Sequence, residues 1–245
     1  MAKLAIGLGS RYNVFRMKIA LIGAHGYVGS AVCAALKHSA KHSVAEVTRE
    51  AYEQYRAGAY DVLINCAMPS GRFWAKNNPE KDYVETVEKT KNLLSDWNYR
   101  KFIQISTVSA RCQIDTVYGK HKAEAEKLID TAKHLIVRLG ALYSADMKKG
   151  VLVDMLAGNK VYVDGKSRYS FISVDVAAEW IASHLDRTGV VELGGRNALA
   201  LKDVSAHLGK DIEFEGEINH QDIESSESEF PEAKDVLEFL DSQKV

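Results

Sequence analysis

The chain has 245 residues, 46% of them hydrophobic, and a formal net charge of -1 from 32 basic and 33 acidic side chains. That length suits one large domain, or a main domain with a small appendage, around a sizeable core. The charge balance gives no electrostatic drive toward nucleic acid or an anionic membrane, and no apolar run reaches the roughly 20 residues of a membrane span. Cys33, Cys66 and Cys112 are odd in number and lack metal-ligand spacing. They read as reduced core thiols of a cytoplasmic protein, with no metal site.

Residues 1–16, MAKLAIGLGSRYNVFR, carry no acidic side chain and no long apolar segment. They are expected to be a dispensable extension, with Met17 the start of the fold; a short targeting segment is the alternative. Ile19 to Ile22 form an apolar run of the kind found in a buried strand. Gly23, Gly26 and Gly29 follow at three-residue spacing, and an apolar helical pattern begins at Tyr27-Val28. Strand, glycine turn and helix in that order is the setting of the dinucleotide-binding fingerprint. The glycines allow a tight turn, close approach of a pyrophosphate and close helix–strand packing, and the helix start offers free N–H groups to phosphate. His25 fills a turn position in this loop rather than acting as a base.

Further along, the pattern predicts a strand over 43–48, a helix over 49–55 and a buried strand over 61–67. Met68-Pro69-Ser70-Gly71 reads as a loop. Arg72, Phe73 and Trp74 after it are candidates to line a pocket, or a plain packed loop. Pro79 opens a helix expected to run to Trp97. A strand over 102–106, a helix over 118–132 and a strand over 135–139 complete an alternation that argues for a parallel sheet covered on both faces. Beyond Gly140 the rhythm loosens. Helices are expected over 150–156, 175–185, 201–208 and 233–240, strands over 160–163, 169–172 and 190–193, and an acidic turn over 225–229.

Tyr118 and Lys122 stand four apart, on one face of the 118–132 helix. A lysine ammonium beside a phenol is expected to lower the tyrosine pKa from about 10. The same spacing is common on solvated helix faces. Its position gives it weight, because it follows a strand ending in Ser106-Thr107-Val108-Ser109. In a doubly wound sheet the loops at strand carboxyl ends gather in the ligand crevice.

Together these motifs resemble the extended short-chain dehydrogenase/reductases, the NAD-dependent epimerase/dehydratase family. The resemblance runs from Met17 to about Leu185. It rests on Gly23, Gly26 and Gly29; Asn65-Cys66-Ala67; Asn78-Pro79-Glu80 with Thr90-Lys91-Asn92-Leu93-Leu94; Ile105-Ser106-Thr107; Tyr118 with Lys122; Arg138; and Arg168 to Asp175. It implies an α/β fold: a Rossmann-type doubly wound parallel sheet over 17–140. A mixed region over 141–245 would complete the sheet and form a small C-terminal substrate-binding subdomain. It implies Thr107, Tyr118 and Lys122 as catalytic groups. The cofactor-binding set is Gly23, His25, Gly26, Tyr27, Val28, Gly29, Arg49, Cys66, Ala67, Tyr118 and Lys122, and the substrate-binding set is Met68, Ser109 and Arg168. Arg168 matches a position that often meets a diphosphate; a surface or structural arginine is the alternative.

The chain departs from the family pattern in places. Only eleven positions separate Thr107 from Tyr118, which trims the loop over the substrate. No carboxylate follows Thr107, which disfavours elimination. Thr86 and Lys89 replace the family's Asn and Gly, and Ala141 replaces an Asn that binds nucleotide sugars. The second strand ends without an acid but next to Arg49, so NADP is favoured over NAD as the NAD(P) cofactor. Glu46 is near but one residue out of phase. The expected protein is an NAD(P)-dependent oxidoreductase or epimerase acting on a small-molecule carbonyl or secondary alcohol. The resemblance also implies a homodimer. A dinucleotide-binding regulator on the same scaffold is the alternative.

Overall fold

The computed structural model describes residues 16–38, 41–225 and 229–243. Residues 1–15 of the proposed extension and part of the acidic turn over 225–229 lie outside these residues.

The first half alternates strand and helix: β1 (Lys18–Ile22), α1 (Tyr27–His38), β2 (Ser43–Val47), α2 (Tyr52–Arg56), β3 (Ala59–Asn65), α3 (Arg72–Asn77) and α4 (Pro79–Tyr83). A π segment (Val84–Glu88) joins α4 to α5 (Lys89–Asp96). Then come β4 (Asn98–Thr107), α6 (Ser109–Cys112), α7 (Val117–Lys127) and β5 (Leu135–Leu139). The second half holds β6 (Ala141–Tyr143), α8 (Val151–Ala157), β7 (Arg168–Tyr169), β8 (Phe171–Ser173), α9 (Val174–Ser183), β9 (Gly189–Leu193), β10 (Leu199–Ala200), α10 (Leu201–Leu208) and α11 (Asp235–Ser242).

Six strands pair in the order β2-β1-β3-β4-β5-β9, every pair parallel. Alternate side chains of each strand point to opposite faces, and both faces are apolar. Ile19, Leu21, Ile64, Ile105 and Val137 pack with α1 and α9 on one side. Ala20, Ile22, Leu63, Phe102 and Ile136 pack with Leu93, Trp97 and Ile129 on the other. Such double burial explains why the strands read as continuous apolar runs rather than alternating ones. The chain reverses its direction of travel at β1, with β2 on one side and β3 on the other. The crevice at the carboxyl ends of β1 and β3 is therefore the topological switch point where such sheets bind ligands.

The C-terminal half contributes to this core and builds a second one. Strand β9 completes the sheet beside β5, and α9 packs against α1. Leu152, Met155, Phe171, Val204, Val236 and Leu240 form a separate apolar cluster. Of two small sheets, β6 with β8 carries residues of both cores, and β7 with β10 belongs to the second.

Several boundaries differ from the sequence reading. The helix carrying Tyr118 stops at Lys127 rather than 132, because Asp130 accepts the amides of Ala132, Lys133 and His134 and turns the chain. The strand expected over 160–163 is a single bridge from Val161 to Phe214. The strand expected over 169–172 is split at Ser170, whose amide donates to Gln221 O while its neighbours pair with different partners. The helix expected over 49–55 begins only at Tyr52, because Thr48 Oγ1 accepts the Ala51 amide in a turn. The long helix from Pro79 is continuous, but its middle turn widens to π geometry where it passes α7. Among the described residues, no helix is long and apolar enough to cross a membrane.

Candidate active site

The glycine loop closes between β1 and α1. Gly23 takes φ +79°, which L side chains rarely adopt. A Cβ on Gly29 would lie 2.0 Å from Gly23 O, so the first turn of α1 can sit this close only with glycine there. Gly26 N donates to Gly23 O at 2.9 Å and Ser30 N to Gly26 O at 2.8 Å, which tightens the turn. The result is a narrow backbone cradle at the N-terminus of a 12-residue helix, the shape and polarity that a pyrophosphate needs. The residues present therefore fit a dinucleotide.

The flanking side chains are distributed around this cradle. Val28 packs on the core. Tyr27 reaches across to the second half, its hydroxyl 2.9 Å from Ser144 Oγ. Exposed His25 places Nε2 3.2 Å from Glu46 Oε2, and Lys37 pairs with the other Glu46 oxygen. The Lys37 ammonium, helped by His25, holds the Glu46 carboxyl below its ordinary range. Glu46 is thus committed on the α1 side. Arg49, exposed just past β2, makes no ion pair among the described residues.

A cleft of about 810 Å³ opens beside the cradle, lined by Arg49, Ala67, Pro69, Gly71, Trp74 and Lys149 among others. Buried Asn65 shapes its floor: Nδ2 donates to Gln104 Oε1 at 3.1 Å, and Oδ1 accepts the Ala67 amide at 3.1 Å. Cys66 continues the β3 edge, its amide donating to Ile22 O. Burial pushes its thiol up to about 12, so it is an unreactive group beside the cleft. Met68 follows, half-buried in the same loop.

The catalytic candidates converge on this loop. Tyr118 is 7% exposed and Lys122 2% exposed. Lys122 Nζ donates to Pro69 O at 2.7 Å and lies 5.1 Å from the Tyr118 ring centre. The Thr107 hydroxyl is near enough to the Tyr118 phenol to favour its ionised form. Thr107 Oγ1 in turn lies 3.4 Å from Ser109 Oγ and accepts the Ser109 amide at 3.3 Å. Thr107, Ser109, Tyr118 and Lys122 are therefore one cluster. Arg168 is placed apart from it: the guanidinium is bound by Asp222 at 2.5 Å and does not line the cleft.

The expected effect of the lysine on the phenol is not observed. Burial drives the Tyr118 phenol up to about 12; Arg72 and the Thr107 hydroxyl pull the other way, and Asp82 adds to the rise. Burial also drives the Lys122 ammonium down to about 7, against the pull of Asp82 and Glu126. Desolvation disfavours both charged forms and outweighs Arg72 and Thr107 at the phenol and Asp82 and Glu126 at the ammonium. Lys122 directs its donor at a backbone carbonyl rather than at the phenol oxygen.

Two features escaped the sequence reading. Asp82, fully buried on α4, holds His121 with Oδ2 2.8 Å from Nδ1, directly beside Lys122 in sequence. Nothing in the spacing of 82 and 121 signals this pair; only the packing of α4 on α7 makes it. The other is a buried charge ladder. Ser106 Oγ donates to Glu126 Oε1 at 2.6 Å, Arg138 binds both Glu126 and Glu192, and Arg111 binds Glu192 at 2.7 Å. Arg138 was visible as a motif residue, but its partners were not.

The model of the NAD-dependent epimerase/dehydratase family matches residues 19–190, more than half of the chain. The chain belongs to that family. This epimerase/dehydratase chain finds no match by sequence among curated proteins. By structure it is similar to a dTDP-4-dehydrorhamnose reductase from Clostridium acetobutylicum, with TM-score 0.75 and 18% identity over 94% of this chain and 100% of that one. It is similar to the UDP-glucose 4-epimerase of Thermotoga maritima, solved with UDP-glucose, at TM-score 0.71 and 15% identity over 93% and 99%. A dTDP-4-dehydrorhamnose reductase from Bacillus anthracis in complex with NADP matches at TM-score 0.73 and 14% identity over 94% and 99%. At these identities the likeness is one of fold, which in the family member described here is the Rossmann-type parallel sheet.

Proposed function

We propose that the chain is an NAD(P)-dependent reductase or epimerase that acts on a carbonyl or secondary alcohol of a small molecule. The observation that carries this is the convergence of Thr107, Tyr118 and Lys122 on the loop that floors the cleft beside the glycine cradle. Gly23, Gly26 and Gly29 would hold the pyrophosphate, with Ala67 and Cys66 beneath the nucleotide. NAD(P) supplies the hydride acceptor or donor when bound. Thr107 would bind the reacting oxygen, and Tyr118 would give it a proton in reduction or take one in oxidation. Its phenol, held up to about 12, stays protonated at neutral pH, as an acid must. Lys122 would donate to the cofactor ribose.

NADP is favoured over NAD. Arg49 borders the cleft unpaired, whereas Glu46 is held by Lys37 and His25. The relatives by structure act on sugar nucleotides, which makes a sugar or sugar-nucleotide derivative the first substrate class to try; Ala141 and the Asp222-bound Arg168 argue against a nucleotide sugar. Val108 and Ser109 follow Thr107 where a dehydratase needs acid, so elimination is disfavoured. A homodimer is proposed by analogy with the family.

A second reading, a dinucleotide-binding regulator with little turnover, is favoured by one observation: burial holds the Tyr118 phenol up to about 12 in spite of the nearby Arg72 cation. The experiment that separates the two is NADPH oxidation against a panel of sugar-derived and simple carbonyl compounds. The enzyme reading expects turnover with at least one, at least 100-fold lower in Tyr118→Phe, with NADPH affinity retained. Turnover unchanged in that variant would refute the mechanism.

A further inference from the structure

The residues around the triad balance their charges with one exception. Asp82 meets His121, Glu126 meets Arg138, Glu192 meets Arg111, and Lys122 meets the Pro69 carbonyl. Arg72 is half-buried, yet among the described residues it has neither an ion pair nor a hydrogen bond. A guanidinium has five donors in a fixed fork and stays charged, so leaving it without an acceptor in a partly desolvated place is costly.

Its position is set by its neighbours. Pro69, three residues before it, touches Lys122 through its carbonyl. Ala75, on the same short helix, is fully buried and its amide donates to Gly71 O. That helix, α3, packs against α7, the helix of Tyr118. Arg72 acts electrostatically on two groups that approach from different elements, the Tyr118 phenol and the Cys112 thiol at the end of α6. The packing of α3 on α7 and the contact between Pro69 and Lys122 place Arg72 on the Tyr118 side of the loop after β3, and it does not line the cleft with Arg49.

We propose that Arg72 is a substrate-binding residue that pairs with an oxyanion close to the reacting carbon, so that the enzyme takes a keto or hydroxy compound carrying a carboxylate or phosphate ester a few bonds from its carbonyl. This rests on the reading of Tyr118 as the proton donor, and it adds a substrate class to it. The oxyanion would complete the fork that the protein leaves unpaired. A planar carboxylate matches the guanidinium with two parallel hydrogen bonds. The same contact would orient the carbonyl toward Thr107 and Tyr118, and would discriminate against neutral analogues, which leave Arg72 without an acceptor.

The test is calorimetric titration of the protein saturated with NADPH, using malonate and methyl phosphate as probes and dimethyl malonate as the neutral control. Wild type is expected to bind at least one anion and not the ester; the tighter anion identifies the source of the charge. Arg72→Gln should weaken that binding at least tenfold and Arg72→Lys less, while both keep their NADPH affinity within about twofold. Three results would overturn the inference: no anion binding by the wild-type complex, equal binding by Arg72→Gln, or a loss of NADPH affinity in Arg72→Gln that assigns the arginine to the cofactor. Failure of wild type to bind NADPH or NADH at all would instead strike the proposed function, before any anion is added.

Discussion

Lys122 is the side chain whose chemistry depends most on folding. In water a lysine is protonated well past neutrality, but burial beside Tyr118 brings this one down to about 7. Between that value and the ordinary 10.5 the unfolded chain binds a proton that the folded chain does not. Stability must therefore rise with pH across that window. Lys122→Met should flatten that part of the pH profile, measured as melting temperature of the cofactor-free protein from pH 7 to pH 10. An equal slope in both proteins would mean that Lys122 stays charged in the fold. Arg49 can be tested at the same scale. Arg49→Ala should raise the NADPH dissociation constant about tenfold, the worth of roughly one charge-assisted contact, and leave that for NADH unchanged. Equal effects on both cofactors would remove the NADP preference. The residues of the proposed site could be singled out because each sits at a fixed offset in a local motif: three glycines in seven residues, Tyr and Lys one helical turn apart. Their pKa values were not readable. Spacing says that two groups are neighbours, but not how much water they lose.

At the scale of elements, the charge ladder joins pieces that have no local relation. Glu126 belongs to α7, Arg138 to β5, Glu192 to β9 and Arg111 to α6. Glu126 and Glu192 are 7% and 6% exposed, so removing Arg138 leaves Glu126 without a cation in a low-dielectric place, while Glu192 keeps Arg111. Arg138→Met is expected to cost about 3–5 kcal/mol by chemical denaturation, the usual penalty for breaking a buried pair from one side. A loss under about 1 kcal/mol would place these charges among weak surface pairs. The glycine turn makes a matching prediction. Gly29→Ala pushes a methyl into Gly23 O, and such overpacking costs roughly 1–3 kcal/mol; weakened NADPH binding should accompany it. The strands and the first helix were legible because double-sided burial writes an apolar run into the sequence. The short elements were not. The strand expected over 160–163 failed because apolar content alone does not supply a partner strand, and Tyr162 is 76% exposed. Helices α3 and α6 are one or two turns long, below the length at which a 3.6-residue period can be seen.

At the scale of the whole molecule, the order of strands places the glycine turn, the loop after β3 and the triad around one crevice. A chain that alternates strand and helix and reverses once must have such a crevice, so the position of the crevice followed from the sequence pattern. What lies over the crevice did not. The second core, the split strand at Ser170 and the Asp222 clamp on Arg168 are long-range arrangements with no periodic signature. Ligand binding should be felt throughout: a dinucleotide at 100 times its dissociation constant is expected to add about 2.7 kcal/mol to global stability. The most direct measurement of the central claim is a fluorescence titration of the wild-type protein with NADPH, repeated on Gly29→Val. Saturable binding with one NADPH per chain, abolished in the folded variant, is the predicted result. No saturable binding of NADPH or NADH by the wild type, or undiminished binding by Gly29→Val, would contradict it.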